Sequence, residues 1–315
     1  MTNNKVLITG ACGYLGSALL QALDDIEQPL EINILDNFST GSYSALTKLS
    51  PKHSFKLIES DILNPYALKT AMDGVDTVIH LAAMALTPMG LGRTKSAEQI
   101  NHWGTVSTLE TALKAKVSHF IYTSSTSVFG PVQENQKTQH FQPFGAYASS
   151  KFNAEKSIQS FIKRGLDCTI LRLGTIYGLA PITRYDSLVN KFIVNATTKN
   201  ALHIHGSGKQ TRPLINITDA VQSILHSWFA PNFQKGLYNV FEDNYSVQKV
   251  ADLITQLKPE VELKFVNQDF RNHYSFFIDK DLDTIPNYIF QSSMTKTLEE
   301  AFNQFKNFNK INYHV

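Results

Sequence analysis

Short apolar runs rich in β-branched residues recur along the first half of the chain, at 5–9, 31–36, 54–59, 77–81, 119–123 and 167–173. Each is followed by a longer stretch with helical spacing of its apolar positions. Strand and helix alternating in this way predict an α/β fold with a doubly wound parallel sheet, helices covering both faces. Such a sheet binds ligands beyond the carboxyl ends of its strands, at the point where strand order reverses, so the loops after the strands are expected to carry the chemistry. After about residue 175 the rhythm loosens, and Pro181, Gly206, Gly208 and Pro213 punctuate shorter elements. These predict a smaller α/β lobe. A helical 219–229 followed by a strand-like 236–240 reads as a return to the first sheet. The expected division is therefore a large domain over 1–175 with a return segment at about 214–240, and a discontinuous lobe from 176–213 and 241–315.

Composition narrows the class of partner. At 315 residues and 43% hydrophobic content the chain can bury substantial cores. With 29 Lys and Arg against 27 Asp and Glu, no overall field favours nucleic acid or an anionic membrane, and neither is expected as a partner. An anionic ligand has to be gripped locally. No apolar run reaches the roughly 18 residues of a membrane helix. The opening MTNNKVLITG lacks the charged-then-apolar layout of a signal peptide, and the two cysteines, Cys12 and Cys168, read as small core residues, so a cytoplasmic protein is expected.

The first loop is the most informative. Gly10, Gly13 and Gly16 stand directly after the first strand and open a helix. Glycines there permit a tight turn, a close approach of backbone to a pyrophosphate, and packing of helix on strand, while the helix N-terminus supplies partial positive charge. The second strand ends at Asp36, about 20 residues past Gly16, where a carboxylate accepts hydrogen bonds from the adenosine ribose. The same carboxylate repels a 2′-phosphate. These features predict a Rossmann dinucleotide site that takes NAD in preference to NADP.

A second constellation carries proton chemistry. Tyr147 and Lys151 stand four residues apart on an amphipathic helix, one turn from each other on one face. A lysine cation about 4 Å from a phenol contributes up to about 4 kcal/mol at an effective dielectric near about 20, enough to lower a tyrosine pKa by about two to three. The expectation is that Lys151 lowers Tyr147. Upstream, FIYTSSTSVFG over 120–130 is a strand entering a hydroxyl-rich turn that presents Ser125 to a substrate oxygen.

Taken together these segments resemble the extended short-chain dehydrogenase/reductases from residue 5 to about 280, most closely the nucleotide-sugar epimerases and dehydratases. The landmarks stand in order: the glycine turn, Asp36-Asn37, Asp61-Ile62, His80 to Ala83, Asn101-x-x-Gly104-Thr105, the serine turn, Tyr147 with Lys151, and LRLGTIYG over 171–178. The resemblance implies NAD as cofactor, held by Gly10, Gly13, Tyr14, Leu15, Gly16, Asp36, Asn37, Asp61, Ile62, Leu81, Ala82 and Ala83 with Tyr147 and Lys151. It implies Ser125, Tyr147 and Lys151 as catalytic residues. For a nucleotide-diphosphate sugar it implies Ser125, Thr126, Tyr147, Thr175, His205, Arg212 and Arg271, the two arginines gripping the diphosphate with their planar forks. Thr175 departs from similar epimerases, which often carry Asn there. His203 and His205 lack a third ligand at a suggestive spacing, and no metal is expected.

The resemblance further implies a homodimer through helices at 97–114 and 148–164, with Ile100, Trp103, Val106, Leu109, Phe152, Ile158 and Phe161 supplying apolar surface. The expected activity is C4 epimerisation of the sugar through a transient ketone. Dehydrating relatives carry Asp-Glu directly after the catalytic hydroxyl and decarboxylating ones carry Glu two residues after it, whereas Thr126 and Ser127 fill these places here. The alternative is a reductase of a nucleotide-activated 4-keto sugar; a non-catalytic NAD-binding regulator is disfavoured because Tyr147 and Lys151 are both present.

Overall fold

Burial explains why the apolar runs become strands. In the computed structural model, which describes residues 4–85, 94–132, 141–266 and 274–305, the first run forms β1 (Lys5–Thr9) and leads into α1 (Tyr14–Ala22). There follow β2 (Glu31–Asp36), β3 (Ser54–Glu59), α2 (Pro65–Ala71), β4 (Thr77–His80), α3 (Thr94–Ala97), α4 (Thr105–Ala115), β5 (His119–Ser125), α5 (Ala146–Ile162) and β6 (Cys168–Leu173). Val6 and Ile8 of β1 pack into one cluster with Leu19 and Leu20 of α1, while Leu7 between them joins Leu68, Leu109 and Ile158 on the opposite face. A strand covered on both sides has no polar face, which is why it reads as a continuous apolar run. The edge strand β3 is largely exposed.

The remaining elements are β7 (Thr175–Tyr177), α6 (Leu188–Thr198), β8 (Ala201–His205), β9 (Thr211–Asn216), α7 (Ile217–Phe229), β10 (Leu237–Val240), β11 (Asp243–Ser246), α8 (Val247–Leu257), β12 (Glu262–Val266) and α9 (Met294–Gln304). The large sheet runs β10-β6-β5-β4-β1-β2-β3, all parallel, so the strand at 237–240 does rejoin it. β9, in contrast, pairs with β7 and β11 in a separate sheet, so the segment that rejoins begins with α7 rather than at 214. β8 and β12 form a two-stranded pair. A third cluster built on Tyr177, Phe192, Ile204, Val250 and Leu298 fills the space among these elements.

Strand order reverses at β1, which lies between β2 and β4, so the loops after β1 and β4 meet there. Next to this point the chain from Glu98 to Gly104 is wound as a π-helix before it enters α4. Single-turn π segments of this kind are often found at functional sites. Among the described residues no helix is long and apolar enough to cross a membrane.

One expectation about the helical face is corrected. Leu109 and Ile158 are fully buried and Phe161 is nearly so, all in the core against the large sheet, because these positions lie on the stripe facing the strands. Trp103 is 56% exposed and Ile162 38%, while Ile100, Val106 and Phe152 are partly covered.

Candidate active site

The glycine turn is shaped by backbone contact. Gly10 has φ of +71°, and a Cβ there would stand 2.7 Å from the Ala82 backbone; one at Gly16 would collide with the Gly10 carbonyl. Gly13 is different. A Cβ on it would meet only the Gly10 carbonyl oxygen, at 3.5 Å, so the fold by itself leaves room for a side chain. The space over Gly13 and the N-terminus of α1, which no side chain caps, suit a pyrophosphate.

Asp36 is buried at the end of β2. Its Oδ2 accepts from Cys12 N and its Oδ1 from Phe38 N, both at 2.8 Å. Each oxygen keeps acceptor capacity for a ribose hydroxyl while its orientation is fixed. Phe38 adopts the left-handed region, φ +53°, which turns the chain back beneath the carboxylate. Asn37 donates to Asp61 Oδ2 at 2.7 Å, and Ile62 packs on Gly104 of the π-helix. Leu81 N donates to Thr9 O, and Ala82 N to Thr9 Oγ1. The residues expected to hold NAD thus line the carboxyl ends of β1, β2, β3 and β4, and their donor set and free space fit a dinucleotide. Tyr14 points elsewhere: its hydroxyl donates to Gly178 O at 2.6 Å and accepts from Asn190, joining the cofactor turn to the loop after β7. Cys12 and Cys168 are buried, with thiols pushed up to about 12 chiefly by desolvation, and are not nucleophiles.

A buried polar chain that sequence reading did not find runs beneath this site. His80, with no exposure, meets Thr9 Oγ1 through Nδ1 at 2.8 Å and Thr105 Oγ1 through Nε2 at 3.0 Å. Burial lowers its pKa to about 3, so the ring is neutral. Thr105 Oγ1 donates to Asn101 O, Asn101 Nδ2 donates to Ser150 Oγ, and Ser150 Oγ donates to Tyr147 O. The landmarks His80 and Asn101-x-x-Gly104-Thr105 were the only sequence signal of this network.

The three catalytic candidates converge. Ser125 ends β5 and its Oγ accepts from Ser127 N at 3.2 Å, opening the short turn Thr126–Phe129. Tyr147 stands half-buried in the first turn of α5, and the Ser125 side chain is among the groups that favour its ionised form. Lys151 is buried, with Nζ donating to Thr123 O at 2.8 Å and lying 4.7 Å from the Tyr122 ring centroid. The electrostatic expectation is corrected here. Burial raises the Tyr147 phenol, and the groups that oppose the rise are Arg184 first and Ser125 second. Desolvation brings Lys151 down to about 7, with Glu155 resisting. Arg184, permanently charged, opposes the rise of the Tyr147 phenol; it lies on the same loop as Gly178, tied through Asn190 Nδ2 to its carbonyl, and pairs with Asp186 at 2.7 Å.

The proposed sugar contacts are more scattered. Thr126 is buried and its Oγ1 donates to Leu173 O at 3.3 Å, so its hydroxyl is turned into the protein. Thr175 opens β7, partly exposed and opposite Leu214. His205 ends β8, and its carbonyl accepts from Gln210. Arg212 on β9 donates from Nη1 to Thr211 O at 2.7 Å and Tyr274 O at 2.5 Å, its guanidinium 5.0 Å from the Phe276 ring centroid. Burial lowers it to about 10, which leaves it cationic at neutral pH. Arg271 lies outside the described residues.

Known proteins resemble the chain in sequence and in fold. The human protein described as dTDP-D-glucose 4,6-dehydratase is 28% identical over 97% of this chain and 93% of its own length. A UDP-N-acetyl-alpha-D-glucosaminuronate decarboxylase of Bacillus cytotoxicus is 29% identical over 80% of each chain. Among solved structures, the UDP-glucuronic acid 4-epimerase of Bacillus cereus, in complex with UDP-glucuronic acid and NAD, superposes with a TM-score of 0.82 at 23% identity, covering 96% of this chain and 99% of its own. A UDP-N-acetylglucosamine 4-epimerase from Methanobrevibacter ruminantium gives 0.81 at 23% identity, covering 98% and 99%. The profile of the NAD dependent epimerase/dehydratase family matches residues 6–240. The chain therefore belongs to the NAD dependent epimerase/dehydratase family; it is an enzyme, and its cofactor is NAD.

Proposed function

We propose that the protein epimerises a nucleotide-diphosphate sugar at C4. The observation that carries this reading is the absence, among the described residues, of a usable carboxyl beside Ser125. Thr126 and Ser127 occupy the two positions after it. Glu155, whose carboxylate lies nearby against Ser124, is 3% exposed and committed to Arg172. Elimination and decarboxylation need a carboxyl in that region to move a proton, whereas oxidation and reduction at C4 need only a phenol and a hydroxyl.

When bound, NAD supplies reversible hydride acceptance at C4. The chain's own part is the proton. Ser125 orients the C4 hydroxyl, and Tyr147 takes its proton as the ketone forms and returns it after the sugar has turned. Arg184 lowers the cost of the phenolate, and Lys151 anchors the start of α5 to β5 through Thr123. Arg212 and Arg271 hold the diphosphate, and Thr175 and His205 flank the sugar nucleotide. The exposed Trp103 and Ile162 are offered to a second copy, giving a homodimer whose mass is read by light scattering at micromolar concentration.

The test incubates purified protein, with no cofactor added, with UDP-glucose, UDP-N-acetylglucosamine and UDP-glucuronic acid, and follows the sugar by NMR. A C4 epimer from one of them is the expected product. A 4-keto-6-deoxy sugar or a pentose product would overturn the reading. Turnover only of a 4-keto sugar with added reduced cofactor would replace it with reduction.

A further inference from the structure

One turn beyond Lys151 on α5 stands Glu155. Its Oε1 accepts from Ser124 Oγ at 2.5 Å and Arg172 Nε at 3.0 Å, and its Oε2 from Arg172 Nη2 at 2.6 Å and Nε at 3.1 Å. Ser124 and Arg172 are directly opposed on β5 and β6, so one carboxylate joins the catalytic helix to two strands. The guanidinium lies 4.9 Å and 4.6 Å from the ring centroids of Phe129 and Phe141. Ser124 precedes Ser125 in the chain, and Lys151 grips the same strand at Thr123 O. The proton-relay residues therefore sit on the two segments that Glu155 fastens together. Seating a helix on a sheet needs no charge: a buried ion pair generally stabilises no more than apolar residues of the same volume. The use of this one lies in what it does to its neighbours.

We propose that Glu155 is a positioning residue of the proton relay, holding the serine turn and the catalytic helix in register and keeping Lys151 cationic. The proposal rests on the assignment of Ser125, Tyr147 and Lys151 to proton transfer. The groups facing Lys151 are Glu155 on its own helix, Tyr122 from β5 and His80 from β4, with Arg172 of β6 behind Glu155; Tyr147 stands one turn before it on the same helix. Burial holds His80 neutral and the Tyr122 phenol protonated. Glu155 is then the anion that acts on Lys151 among the described residues, and it is what opposes the fall of the lysine to about 7.

The experiment titrates Lys151 directly, by the ¹³Cε chemical shift of lysine-labelled full-length protein carrying its cofactor. Glu155→Gln is expected to move the Lys151 midpoint down by about one pH unit, because an opposing charge has been removed. Ser124→Ala, which deletes a hydrogen bond and no charge, is expected to leave the midpoint in place. Both are expected to lower kcat, about tenfold and about threefold, with substrate KM within about twofold of the parent. Where Glu155→Gln fails to fold because Arg172 is left alone, the double variant Glu155→Gln/Arg172→Met removes both charges, and the lower midpoint is read there. An unmoved midpoint in folded protein without Glu155, or an unchanged kcat in Ser124→Ala, overturns the proposal. Turnover surviving Tyr147→Phe would instead overturn the catalytic assignment itself, while the Lys151 midpoint continues to report on Glu155.

Discussion

The two ends of the site are built by different means. At the cofactor end every expected contact except Tyr147 and Lys151 lies within the first 83 residues and follows a strand of one sheet, with backbone donors fixing Asp36 and backbone contact dictating Gly10. At the proposed sugar end Ser125 and Tyr147 belong to the large sheet and its helix, Thr175 and Arg212 to the small three-stranded sheet, and Arg184 to the loop after Gly178. The first end is shaped by short loops on a rigid frame. The second depends on how two packed units meet, with Tyr14, Gly178 and Asn190 as a bonded link between them. Specificity for cofactor is thus local, and reactivity of the sugar end is collective.

That contrast can be broken by substitution. The largest effect is expected from Tyr147→Phe, which removes the proton acceptor: kcat should fall roughly 10³-fold while NAD remains bound after gel filtration. Loss of cofactor in that variant would show that the two ends are not separable. Asp36→Ala is next. Deleting a charged acceptor of two ribose bonds should cost about 1.5–3 kcal/mol, roughly 10- to 100-fold in NAD affinity, and should relieve the exclusion of NADP; calorimetry of cofactor-free protein reads both. An unchanged preference would remove Asp36 from the ribose.

Arg184→Gln tests the collective end. Arg184 lowers the Tyr147 phenol, so without it the phenol rises further and the phenolate forms at higher pH. The rising limb of the kcat profile should therefore move toward alkaline pH, and activity at pH 7 should drop roughly tenfold if the limb moves by about one pH unit. A limb that stays in place would return the task to Lys151. An effect of similar size but on KM is expected from Arg212→Ala: KM for the nucleotide sugar up roughly tenfold, about 1.4 kcal/mol, with kcat nearly unchanged. A fall in kcat at constant KM would mean that Arg212 organises the reacting centre rather than the diphosphate.

Much of the cofactor end was legible because its determinants are contiguous. Gly10, Gly13, Gly16 and Asp36 form a spaced pattern whose physical meaning does not depend on what packs around it. The Tyr-Lys pair was legible as spacing on a helix, but the state of its protons was not. Thr126 looked like a pocket hydroxyl until β6 presented the Leu173 carbonyl to it. Leu109, Ile158 and Phe161 looked like interface because one helix face carries core and surface positions side by side, and only the seating of α4 and α5 on the sheet separates them. Arg184 carried no motif at all.

What the sequence by itself determined is therefore the strands of the large sheet and their parallel arrangement, since these follow from backbone periodicity and local sterics. What the tertiary structure alone decided is charge: which cation acts on Tyr147, which anion acts on Lys151, and which carboxylate is taken out of play by Arg172. Those are set by desolvation and by distances between residues far apart in the chain: burial pulls Lys151 down to about 7 while Glu155 opposes the fall, and burial raises the Tyr147 phenol while Arg184 opposes it.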